Sequence, residues 1–430
     1  MLYPQRRRRD DLHGMIDSLR LVTDASAYAP ASGRAPQSMV VFSAALGMMW
    51  LGACASPVLV DPPTTAPTPT RGSTTIATRA PRGLPSERGD AAVSAATAPL
   101  VRWPIKTAEH VDLWLHAFAL VSDDSARMPL YRRGYRDSLV VVKNRLGVFS
   151  SLDKNRYALG KALQNSPEYE RAQFFALEVP TWAALRATVD GFLQVDGETQ
   201  HARDKTLVPG MVRLAAIFKT PADREWLRIF VEGVGDEQVK FFAADYSRSM
   251  RSRAAVVTAV DALWQGTYRQ RFDRFLSNTG QRNGDIVLSS PIGSEGRMGP
   301  GRDRQIAVVV PFPQRVDEAA DVLFVFAHEV CGPLVAKTLA DNMTATDGPR
   351  RTAEGYVATG QVRLGAMLLD RIAPELYERY VRYYLAQHDV RVPDAMTRAT
   401  LNSTFSARFP LPTALEDVLR HQLEAVLGGI

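Results

Sequence analysis

From residue 102 onward, apolar side chains recur at helical spacing through most of the chain. Segment 105–122 (IKTAEHVDLWLHAFALVS) predicts a helix, and the same period continues through 135–150, 154–164, 180–195, 208–218, 221–232, 236–248 and 252–277. Pro104, Pro167, Pro180, Pro209 and Pro221 fall between these segments or in first turns, where a missing N–H is tolerated. The pattern changes at Gln281. Asp285–Ser289 and Gln305–Phe312 are β-branched runs that predict strands, and between them Gly293–Arg304 (GSEGRMGPGRDR) predicts a flexible hairpin loop. That loop lacks the Gly-Lys-Ser/Thr ending of a phosphate cradle. Helical spacing returns at 316–331, 352–371, 373–388, 393–403 and 412–427. The expected fold class is α+β and predominantly helical, with a helical region 102–280 followed by a small strand region and further helices over 281–430, the two forming either one domain or a pair.

The first hundred residues read differently. Met39–Ala53 (MVVFSAALGMMWLGA) is a continuous apolar run, short for a membrane span and suited to a signal-peptide core. It ends in Leu51-Gly52-Ala53-Cys54. The stretch 55–101 is rich in Pro, Thr, Ser and Ala, too poor in apolar surface to offset its ordering entropy, and predicts a disordered tether. Met15 is an alternative start, with Arg20 and Arg34 as the positive flank; Arg6–Arg9 lie too far upstream to serve as a twin-arginine signal.

Composition changes this picture little. Apolar residues make 46% of the 430-residue chain and charged residues 23%, which excludes a wholly disordered chain and a multi-span membrane protein. The 52 basic against 46 acidic residues give +6, with no clustered basic face in the body of the chain, so no nucleic-acid partner is expected. Two cysteines, Cys54 and Cys331, stand in unlike contexts and predict neither a disulfide nor a cysteine-based zinc site.

Chemistry concentrates at His328-Glu329. Asp317–Cys331 reads DEAADVLFVFAHEVC, with acidic residues suited to a helix start and Val322–Ala327 apolar on every side, so the helix should be buried. A His and a Glu at the end of a buried helix need partners. Downstream, Glu354, Val357, Gln361, Leu364 and Leu368 form a largely apolar stripe that turns Glu354 inward. Pro333 should disturb or end the first helix. His116 reads as a satisfied core histidine, and Tyr377, Tyr380, Tyr383 and Tyr384 as helix packing.

Two resemblances follow. The Leu-Gly-Ala-Cys ending resembles the lipobox of bacterial lipoproteins; it implies a signal region over 1–54, lipidation of Cys54, attachment to the membrane through that lipid, and a place at the outer membrane facing the periplasm. Strand, loop and buried His-Glu helix resemble the active-site region of zincin metallopeptidases of the gluzincin type, over roughly 281–390. That resemblance implies zinc held by His328 and Glu354, with Glu329 as general base. The motif is degenerate: HEVCG stands where His-Glu-x-x-His would, Gly332 taking the second histidine's place. Cys331, His388 or the pair His110/His116 are alternative ligand sources. The expected function is a lipid-anchored envelope protein with a degenerate zincin-like domain, weakly active or inactive, that acts in binding a peptide or protein. The alternatives are an active zinc peptidase whose third ligand is unassigned, and a structural helical lipoprotein without metal.

Overall fold

A computed structural model describes residues 102–122, 130–302, 305–342 and 350–428, with the side chains of 167 and 350–354 left outside that description. The signal region, Cys54 and the tether lie outside the described residues. The class is α+β and predominantly helical, as the hydrophobic pattern indicates.

The chain opens with a strand where a helix is expected. β1 is Ile105–Thr107, and helix α1 starts only at Glu109, running to Val121. Segment 105–107 is recruited by a remote partner: β1 pairs in parallel with β2, Gly284–Ser289, which pairs in parallel with β4, Ile306–Pro311. The edge strand β3, Arg297–Pro300, lies antiparallel on β4, inside the stretch expected to be a loop. The order is β1-β2-β4-β3.

This sheet separates two cores. Ile286, Leu288, Val308 and Val310 face one, Val287, Ala307 and Val309 the other, as the two-residue strand period requires. Burial on both faces explains why β2 and β4 read as unbroken apolar runs.

On one side pack α1, α2 (Tyr135–Leu146), α3 (Ser151–Asn165), a 3-10 stretch Pro167–Glu178, α4 (Trp182–Gln194), α5 (Val208–Ala215) and α6 (Pro221–Glu237). Capping boxes start α3, Ser150 with Asp153, and α6, Thr220 with Asp223 and Pro221 at the first turn. A π-helical turn, Gln238–Phe242, carries α6 into α7 (Ala243–Ser252); a second, Trp264–Tyr268, joins α8 (Ala254–Leu263) to α9 (Arg269–Asn278).

On the other side lie α8, α9, α10 (Asp321–Asn342), α11 (Arg350–Ile372), α12 (Pro374–Gln387), α13 (Arg398–Arg408) and α14 (Thr413–Gly428). α10 corrects two expectations. Asp317 and Glu318 sit in a separate 3-10 turn ahead of it, and Pro333 stands inside the helix, which continues nine residues further to Asn342. Every residue from Val322 to Gly332 is buried, and Gln281 Nε2 donates to Val330 O at 2.8 Å beside the break. Packing on all sides holds the helix through the lost bond. α10 with its preceding turn is long and apolar enough to cross a membrane, but it is mostly buried and forms the centre of this core.

Candidate functional site

Since α10 does not end at Cys331, His328 and Glu329 occupy its middle, each 7% exposed. Consecutive helix positions diverge by about 100°, so the two side chains serve different neighbours. His328 turns toward α11 and α12: its Nδ1 shares a hydrogen bond of 2.9 Å with Tyr384 Oη. Glu329 turns toward the edge strand, where Met298 N–H donates to its Oε2 at 2.5 Å. The two remain close, His328 Nε2 lying 3.7 Å from Glu329 Oε1.

The edge of the sheet is thereby closed from within, one donor of β3 being taken by a carboxylate of the core helix. Gly296 permits this approach. A Cβ there would lie 2.5 Å from Val325 Cγ1, 2.8 Å from Val309 O and 3.0 Å from Glu329 Cγ. Gly296→Ala should therefore destabilise the fold by about 1–3 kcal/mol, since a backbone carbonyl cannot yield. Urea denaturation checks this, and a loss below about 0.5 kcal/mol would show that the loop is free to move away.

Burial governs the ionisation of the pair. Desolvation lowers the His328 imidazole to about 4, against an opposing pull from Glu295, so it is neutral at pH 7. Desolvation raises the Glu329 carboxyl, with Arg297 and the Met298 N–H working the other way. Arg297 lies over the Phe174 ring at 5.8 Å.

At the second-histidine position, Gly332 leaves room for another group. A Cβ on it would lie 2.5 Å from Gln361 Nε2, and the Gln361 carboxamide also bears on His328. Gln361 thus stands where a chelating imidazole would project. The expected acidic partner, Glu354, lies on α11 seven residues earlier, about 10 Å along the helix axis; its side chain is outside the described residues. The site unites His328, Glu329, Gln361 and Tyr384. Sequence reading missed Tyr384, hidden among four tyrosines, and passed over Gln361, the other polar residue on the stripe used for Glu354.

The alternative ligand sources lie elsewhere or are unsuited. His110 Nε2 bonds to Val179 O at 2.9 Å, and His388 Nδ1 sits 2.9 Å from Arg408. His116 joins a buried ionic cluster around Glu237. Cys331 is fully buried, and desolvation pushes its thiol far above the ordinary range, away from the thiolate a metal requires. Among the described residues no group of three or more His, Cys, Asp and Glu could hold a metal ion. Among the described residues, one imidazole, one carboxylate already bonded to Met298 and a carboxamide do not by themselves make a zincin-type ligand set.

No family model, curated protein or solved structure matches this chain.

Proposed function

We propose that the chain is a lipid-anchored bacterial envelope protein whose body is a degenerate zincin-like scaffold that binds a peptide or protein without cutting it. The observation that carries this reading is the place next to His328 where a second imidazole would stand: Gly332 vacates it and Gln361 fills it. A carboxamide is a weak donor to zinc. The neutral imidazole, the Glu329 carboxyl, the phenol and the amide are hydrogen-bonding groups of the kind a peptide pairs with, and here they lie buried and bonded within the protein. Comparing casein hydrolysis by the wild type with that by Glu329→Gln tests the absence of catalysis. Equal background rates are expected, whereas wild-type turnover abolished in the variant would show an active peptidase. Glu295, whose charge bears on His328, favours that second reading, as a carboxylate near the imidazole.

The anchor is proposed from Leu51–Cys54 and the polar stretch that follows. Two acyl chains on Cys54 give stable membrane attachment where one gives only marginal binding. A Cys54→Ser variant is expected to move from the membrane fraction to the soluble fraction. Unchanged fractionation would remove the anchor from this account.

A further inference from the structure

A cavity of about 610 Å³ opens at the carboxyl ends of β2 and β4, lined by other residues than the four of the His328 site. Ligands of open α/β sheets favour this end of the strands. Ile292, Pro311 and Phe312 give it an apolar wall, and Arg132 enters from the other side. The Arg132 segment is pinned in place. Tyr131 bridges Ile292, Arg132 N donates to Pro291 O at 2.9 Å, and Gly293 N donates to Leu130 O at 2.7 Å.

Arg132 lines the cavity, and a second guanidinium, that of Arg253, lies behind the wall residue Phe312 within range of its charge. Arg253 lies over the Phe312 ring at 4.8 Å and donates to Ser290 Oγ at 3.2 Å. Arg132 lies over the Tyr135 ring at 5.3 Å. Burial, and then the nearby charge of Arg132, lower the Arg253 pKa from its ordinary value. Among the described residues, neither forms an ion pair with a carboxylate. Of the acids whose fields reach Arg253, Asp245 pairs with Arg248 at 2.8 Å, whereas buried Asp112, raised by desolvation to about 7, accepts from Ser290 N with Oδ2 and has no hydrogen-bond partner on Oδ1. Arg133, also on the wall, is neutralised by Asp389 at 2.9 Å.

We propose that this cavity is a binding site for an organic carboxylate, whose charge is held by Arg132 with Arg253 behind it and whose apolar body lies on Ile292, Pro311 and Phe312. Guanidinium groups match a carboxylate's planar geometry. The volume lies within the range of small-molecule sites, about 300–1,000 Å³. Glu318 and Asp321 also line the cavity, and their like charge weighs more heavily on a doubly charged phosphate than on a singly charged carboxylate.

Calorimetric titration of the full-length protein with hippurate, hippuramide and inorganic phosphate tests the assignment. Hippurate is expected to bind one saturable site, with hippuramide and phosphate each weaker by about tenfold or more. Arg132→Gln should lower hippurate affinity by about tenfold or more without changing the melting temperature, and Arg132→Lys should fall between. Equal binding of acid and amide, phosphate binding as tightly as hippurate, no saturable hippurate binding, or an affinity indifferent to both Arg132 variants would each overturn it. Neither zinc content nor proteolysis enters this readout, so it stands or falls apart from the reading of the His328 site.

Discussion

Replacing Glu237 with alanine is expected to destabilise the fold by about 3–5 kcal/mol, the cost of breaking a buried ion pair from one side. Glu237 has no exposed surface at the end of α6. Its Oε1 lies 3.1 Å from His116 Nε2 and its Oε2 2.6 Å from Lys143 Nζ, with Ser150 Oγ donating to the same oxygen. Lys143, 2% exposed, would keep Asp153, at 2.6 Å, as its carboxylate partner. Burial alone would raise the Glu237 carboxyl, but His116, Lys143 and Ser150 outweigh it and hold the group at about 2. A depressed acid stabilises the fold above its unfolded value and loses that contribution as pH falls. Here the window runs from about 4.5 down to about 2 and amounts to about 3 kcal/mol. Urea denaturation at pH 7 measures the substitution. A loss below about 1 kcal/mol would mean that water reaches the cluster.

The second large effect has the opposite chemistry. Between pH 6.5 and about 4 the wild type should lose about 3 kcal/mol that a His328→Gln variant retains. The sign follows from burial. The folded imidazole resists protonation down to about 4, while the unfolded one takes a proton near 6.5, so acid favours the unfolded chain throughout that interval. Glu329 works the other way: its raised carboxyl stabilises the fold below its ordinary value, and that stability is lost as pH rises through the folded value. Glu329 is present in both proteins, so the difference between their stability–pH curves reports His328 together with its coupling to Glu329 at 3.7 Å. Parallel curves would show that the imidazole is solvated.

How much of this was legible in the sequence differs from element to element. The run Val322–Ala327 announced a helix buried on all sides, and the β-branched runs announced β2 and β4. β1 was not legible, because three residues carry no period and their partner lies far along the chain. β3 was obscured by glycines whose use is close approach, Gly296 above all, rather than mobility. Pro333 misled for a related reason: proline's local cost is fixed, but the tertiary packing that absorbs it is not visible locally. At the site, periodicity turned Leu364 and Leu368 of α11 inward, as the structure has them, without saying how far along the axis contact with His328 would fall. That axial offset separates Gln361 from Glu354.

The central claim is that His328 stands without the chelating partners a zincin requires. Titration of the full-length protein with zinc against a competing chromophoric chelator of micromolar affinity tests it most directly. The wild type is expected to leave the chelator's zinc undisturbed and to behave like His328→Ala. One zinc withdrawn per chain by the wild type, and none by His328→Ala, would contradict the account.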